Sequence, residues 1–277
     1  MGQPMIESNL NESNMDGSIS IAVATGGHPF VEADFFAVFD EMEGVRWQHF
    51  PQPRALELVD PAHHGEFDVL VMYDMPGIEF TGGDPPAVLH GPPDGYIESY
   101  GDMVWAGQPM VFLHHAVASW PAWEGFGQMV GGRFHYQPAS FAGVDYPDSG
   151  YRHDVTHRVE VVDPDHPICA GLEPSFEITD ELYLFPVLGD SVEPLMRSTA
   201  TFDAGEFYSA DLAIRGRRNE RDGWVHPSGS NLVAWTRRVG NSPIAYVQFG
   251  DGPQTYADPN YRLVLRNAIA WAATTLA

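Results

Sequence analysis

The chain has no lysine. All 14 of its basic residues are arginines, set against 38 aspartates and glutamates, for a formal net charge of -24. A surface of that sign repels nucleic-acid phosphates and anionic lipid head groups, so neither is expected as a partner. Cysteine is nearly absent as well. Cys169 stands alone, which excludes an internal disulfide and any multi-cysteine metal site within one chain. Its setting, 166-HPICAGL-172, lacks a nucleophile-elbow context and reads as a small buried hydrophobe. No apolar run reaches the roughly 18 residues that a membrane-spanning helix needs. The opening MGQPMIESNLNESNMDGS carries neither the basic stretch nor the apolar core of a secretory signal, so a cytoplasmic location is expected. Internal repeats, low-complexity blocks and interdomain linkers are missing too. One α/β domain over residues 18–277 is expected, behind a polar tail at 1–17 that reads as disordered.

What is present alternates in type. Short apolar runs, 19-ISIAVATGG-27, 67-FDVLVMYDM-75, 109-PMVFLHH-115 and 243-PIAYVQFG-250, read as buried parallel strands. Helical spacing of Phe35, Val38, Phe39 and Met42 predicts a helix within 29–44, and a second is expected around 96–108. The closing segment 258-DPNYRLVLRNAIAWAATTL-276 has Asp258 as N-cap, Pro259 at the first helical position, and an apolar face from Tyr261 to Ala272. Such alternation implies a mainly parallel sheet covered by helices on both faces. From Ala116 to about Glu193 the pattern is irregular and predicts loops and an antiparallel strand or two. The run 157-HRVEVVD-163 reads as an exposed strand able to pair with another chain, which leaves a homo-oligomer open.

In an open parallel sheet, ligands bind outside the carboxyl ends of the strands. Four of these ends carry chemistry: Gly26-Gly27-His28, Tyr73-Asp74, His114-His115 and Gln248-Phe249-Gly250-Asp251. The irregular section adds 151-YRHDVTH-157 and 180-DELY-183. Alternation along a strand would send His114 and His115 to opposite faces unless the strand has ended. One imidazole is then expected in the crevice, the other held by a carboxylate or a backbone carbonyl. GGHPF is neither a dinucleotide fingerprint nor a P-loop. His153 and His157 would be about 13 Å apart along a strand, so they form no HxxxH pair. A divalent metal such as zinc could still be assembled from different strand ends, with His28, His114 or His115, and His153 as candidate ligands. Trp120, Trp123, Tyr183 and Tyr256 are aromatic candidates for stacking on a sugar ring, with core packing as the competing reading.

Seven segments then occur in order: 25-TGGHPF-30, 69-VLVMYDMPG-77, 112-FLHHA-116, 130-VGGRFHY-136, 161-VVDPDHPICAGL-172, 179-TDELY-183 and 245-AYVQFGDGPQTY-256. Together they resemble the trehalose-utilisation, or ThuA-like, family. The resemblance implies a flavodoxin-like three-layer α/β sandwich, similar to class I glutamine amidotransferases, with inserted loops and antiparallel strands. In that larger group the strand matching VFLHH leads to a nucleophilic cysteine, and the strand matching AYVQFGD ends in His-Pro-Glu. Here those positions read His-His-Ala and Gly-Asp-Gly, so glutamine hydrolysis through a thioester is excluded on this alignment. The family name implies catabolism of a disaccharide or keto-sugar derivative. The expected catalytic positions are His114, His115, Asp180 and Glu181. Expected substrate contacts are Gly27, His28, Asp74, Trp120, Arg133, Tyr183, Gln248, Asp251 and Tyr256. The alternative is a sugar-binding or assembly module that keeps the scaffold without the chemistry.

Overall fold

The computed structural model describes residues 17–275, so all but the last residue of the tail expected at 1–17 lies outside the described residues. The first half runs β1 (Ile19–Gly26), α1 (Glu32–Asp40), β2 (Val45–Pro51), β3 (Val69–Asp74), β4 (Ile78–Phe80), β5 (Ala87–Leu89), α2 (Tyr96–Ala106) and β6 (Met110–Leu113). There follow α3 (Glu124–Val130), β7 (Ala139–Phe141), β8 (Val144–Tyr146), and two long strands, β9 (Gly150–Val161) and β10 (Ser175–Leu184). The chain continues through β11 (Glu193–Ser198), β12 (Tyr208–Ser209), α4 (Ala210–Ile214), β13 (Leu232–Val239) and β14 (Ser242–Val247). It closes with α5 (Pro253–Tyr256) and α6 (Pro259–Thr274).

Alternate residues of each central strand feed different cores. Ile21, Val23, Val69, Val71, Val111 and Val247 face Phe35 and Phe39 of α1 and Val264, Leu265 and Ile269 of α6. Ala22, Ala24, Leu70, Met72, Phe112 and Tyr246 face Tyr100 and Met103 of α2 and Phe126 of α3. Burying each large apolar side chain contributes about 1.5–3 kcal/mol, so both faces must be covered. The result is the three-layer α/β sandwich, with α1 and α6 on one side and α2 and α3 on the other. Helix α6 starts where the sequence predicts. Asp258 accepts hydrogen bonds from the Asn260 and Tyr261 amides at 2.7 and 3.2 Å, with Pro259 next. Helix α1 starts later than Pro29, at Glu32.

The sheet order is β10-β9-β11-β13-β14-β6-β3-β1-β2, with β12 pairing β9. From β14 to β2 every pairing is parallel; from β14 through β13, β11 and β9 to β10 every pairing is antiparallel. The irregular section of sequence is therefore an antiparallel wing of the same sheet. One expectation is overturned here. The segment 157–163 is no open edge, because β9 pairs with β10 on one side and with β11 and β12 on the other. Its polar look comes from alternation, with His157 and Val159 buried between exposed neighbours. It offers no strand for another chain, and the ground for a homo-oligomer goes with it. Among the described residues no helix is long and apolar enough to cross a membrane.

Candidate active site at the strand ends

Strand β6 stops at Leu113, and His114 opens a short 3-10 turn over His114–Ala118 with φ at +47°. A non-glycine residue in that region costs about 1–2 kcal/mol, so its surroundings must hold it. They do. The Tyr246 hydroxyl donates to the His114 carbonyl at 3.0 Å, and His114 Nδ1 lies 2.6 Å from the Gln248 carbonyl. A carbonyl only accepts, so Nδ1 carries a proton and Nε2 is turned to the other groups. Nε2 lies 2.7 Å from the Tyr183 hydroxyl, 3.1 Å from Glu181 Oε2 and 3.5 Å from Asp251 Oδ1. The ring is fully buried and stacks on Tyr183 at 4.6 Å between centroids.

Asp180 and Glu181 come from β10 in the wing, whereas Asp251 lies in the loop after β14. Asp180 pairs with Val155 and Leu182 with Arg152, so on β9 both His153 and Asp154 stand opposite Glu181 alone. This is a β-bulge, and Asp154 adopts φ +54° within it. Bulges re-aim side chains beside functional sites. Here the bulge sets His153 opposite Glu181: Glu181 Oε2 reaches His114, while His153 Nδ1 lies 3.1 Å from Glu181 Oε1 and 3.8 Å from Asp251 Oδ2. Asp180 points the other way. It accepts from the Gly250 amide at 2.7 Å, the Asp251 amide at 3.1 Å and the Glu181 amide at 2.9 Å. It thereby fixes the loop that presents Asp251.

Burial alone would keep His114 neutral, but Asp251 and Glu181 outweigh it and hold the imidazole well above its ordinary pKa. Burial likewise pushes the Asp251 carboxyl up, and hydrogen bonds to His114 and His153 reverse this, so it stays well below the carboxylate range. His153, about half exposed, is raised by Asp251 first, with burial opposing and Glu181 adding to the rise.

Through His153, Glu181 and Tyr183 the group borders a solvent-open crevice of about 640 Å³. Its walls include Phe80, Phe134, Tyr136, Tyr151 and Tyr183, and His28, His153 and Glu181 line it. Arg215 and Arg218 also line it. Arg215 is bound to Asp211 at 2.8 Å, while Arg218 has no hydrogen bond or ion pair among the described residues. Phe134, Tyr136 and Tyr151 were missed as contacts from sequence, although they lie inside the quoted VGGRFHY and YRHD segments. Phe80, Arg215 and Arg218 carry no such signal.

The other expected site residues divide. His115 is buried, donates from Nε2 to the Tyr73 carbonyl at 2.9 Å, and stacks under His28 at 4.5 Å. Burial first, then His28 and His114, keep it neutral. His28 and His115 therefore lie ring on ring and do not converge with His153, which corrects the metal set His28, His115 and His153. Gly27 packs on the Met75 backbone, where a Cβ would sit 2.2 Å from the carbonyl oxygen. Gln248 acts through its carbonyl on His114 and through Oε1, which accepts from the Tyr183 amide at 3.4 Å.

Four residues expected to touch substrate are structural. Trp120 is buried against Tyr96 and Gly77. The Arg133 guanidinium is buried and donates to the Pro121 carbonyl. The Tyr256 hydroxyl pairs with that of Tyr73 at 2.8 Å, behind the site. Asp74 is buried and accepts from Gln52 Nε2 at 2.6 Å.

Burial raises the Asp74 carboxyl to about 6, against a lowering hydrogen bond from Gln52. A carboxyl raised on folding contributes stability that is fully present below pH 3.8 and lost as pH rises through about 6. The wild type should therefore lose up to about 3 kcal/mol between pH 4 and 7 that Asp74→Asn keeps. Urea midpoints of both proteins at the two pH values check this. A constant difference between them would refute it.

A family model described as ThuA, trehalose utilisation, matches residues 94–272. No curated protein sequence matches the chain. Among solved structures, a ThuA-like protein from Parabacteroides merdae superposes with a TM-score of 0.64 at 13% identity, covering 93% of this chain and 90% of its own. A ThuA-like protein from Bacteroides uniformis gives 0.60 at 16% identity, over 95% of each chain. A cytoplasmic protein from Salmonella typhimurium gives 0.55 at 10% identity, over 92% of this chain and 98% of its own. At such identities the solved structures establish the shared fold, including the segment before residue 94. With well over half of its residues matched by the family model, the chain belongs to the ThuA, or trehalose-utilisation, family.

Proposed function

We propose that the protein is a cytoplasmic enzyme of carbohydrate catabolism that acts on a disaccharide or keto-sugar derivative, by proton transfer next to a carbonyl. One observation carries this reading. Glu181 holds the Nδ1 side of His153 at 3.1 Å, with the imidazole half exposed in an aromatic-walled crevice. A carboxylate on one ring nitrogen fixes the tautomer and leaves the other nitrogen as a base toward substrate. His153 Nε2 takes a proton from the hydroxyl-bearing carbon beside the carbonyl; passing the hydroxyl proton to the carbonyl oxygen and returning the first proton to the former carbonyl carbon isomerises the sugar. Loss of a β-alkoxy group from the same enolate would instead cleave the glycoside. Aromatic faces suit the C–H surfaces of a pyranose, and the unpaired Arg218 guanidinium suits its hydroxyls. The family's carbohydrate role and the absent amidotransferase nucleophile agree with this assignment.

The test is turnover of a panel of oxidised disaccharides, followed by exchange of the α-hydrogen with deuterated water. The wild type should catalyse exchange on at least one member. His153→Ala should lower it by about 10²–10⁴-fold without loss of fold. A folded wild type that binds these sugars but exchanges no hydrogen would point to a binding module instead.

A further inference from the structure

We infer that His114, Glu181 and Asp251 form a site for one divalent transition-metal ion of the zinc or manganese class bordering the crevice. The inference rests on the reading of this crevice as the reacting site and supplies its electrophile. One ligand atom from each of the three side chains lies within 4.8 Å of the other two. His114 Nε2 is 3.1 Å from Glu181 Oε2 and 3.5 Å from Asp251 Oδ1. Bonds of about 2.0–2.2 Å to a tetrahedral or octahedral ion set neighbouring ligand atoms roughly 3.0–3.5 Å apart, so the spacing already matches.

The surroundings add an independent argument. His114 Nδ1 is committed to the Gln248 carbonyl, which aims Nε2 at the two carboxylates. A ring nitrogen anchored on a backbone carbonyl is the usual support of a metal-bound imidazole. The ring cannot swing away, because it is buried against Tyr183 on a backbone held at positive φ. Asp180 holds the Asp251 amide, and His153 holds the second oxygen of Glu181. Two ligands are therefore braced from behind. One nitrogen and two oxygens form a donor set of intermediate hardness, suited to zinc, manganese or ferrous ions rather than to copper(I). Glu181 also lines the crevice, from which a carbonyl or hydroxyl oxygen of the sugar would reach the ion, and His153 remains as the base.

The test uses the full chain, stripped with a chelator and titrated calorimetrically with Zn²⁺ and, separately, with Mn²⁺. One ion per chain should bind at micromolar or tighter dissociation constant and raise the unfolding temperature. Glu181→Gln and Asp251→Asn should each weaken binding by at least about 100-fold, while His90→Ala, on the exposed surface, should leave it unchanged. Should Glu181→Gln fail to fold, Asp251→Asn, at the more exposed carboxylate, carries the test. Binding no tighter than millimolar by the folded wild type, or binding unaffected by the carboxamide variants, would overturn the inference. Exchange activity that needs Glu181 but no metal would overturn only this inference. A bound ion with no sugar turned over would overturn only the proposed function.

Discussion

Glu181→Gln should lower turnover of a responding sugar derivative by on the order of 10³-fold while the protein stays folded. Glu181 is the one carboxylate within 3.1 Å of both imidazoles, through Oε2 to His114 and Oε1 to His153. Glutamine keeps the shape but removes the charge that orients His153 and balances His114. Its amide nitrogen would also meet one ring as a donor facing a donor. The loss should therefore fall on kcat, with KM changed little, because the aromatic walls that hold the sugar are intact. Steady-state kinetics alongside a thermal melt would separate this from unfolding. Activity within tenfold of wild type would remove Glu181 from the reacting group.

Asp180→Ala should produce the largest loss of stability, about 3–5 kcal/mol. Three backbone amides, of Glu181, Gly250 and Asp251, donate to this fully buried carboxylate and would lose their acceptor. Asp180→Asn keeps one acceptor oxygen and should recover part of the loss. Asp180→Ala should also lower activity, because Asp251 is presented by the loop that Asp180 holds. Chemical denaturation of the three proteins checks the order, wild type above Asp180→Asn above Asp180→Ala. Equal stability across the series would mean that the amides find other partners.

The parallel half of this fold is legible because its strands are buried on both faces and read as unbroken apolar runs, as in VLVMYD and MVFL. Polar residues that end such runs mark the crevice, and His114 was found in that way. The antiparallel wing is less legible, since β9 alternates buried and exposed residues and so imitates an edge strand. The bulge at Asp154 sets His153 opposite Glu181. One inserted residue leaves almost no trace in composition; the only hint is that Asp tolerates positive φ better than most residues. Trp120 and Tyr256 were placed near the rim because they follow strand ends. Their side depends on loop path, and both turn inward to core neighbours. His28 and His115 pass every test of residue type for metal ligands, yet their stacking keeps them from a common centre.

On the proposed function, sugar chemistry occurs where His114, His153, Glu181 and Asp251 meet. The most direct measurement is a crystal structure of Glu181→Gln, slowed enough to retain substrate, soaked with the oxidised disaccharide that the wild type turns over best. The sugar should lie between Phe134, Tyr183 and Tyr151, with its carbonyl toward His114 and Asp251 and its α-carbon within about 3.5 Å of His153 Nε2. A sugar bound elsewhere on the chain, or in the crevice with its carbonyl turned away from these residues, would contradict it.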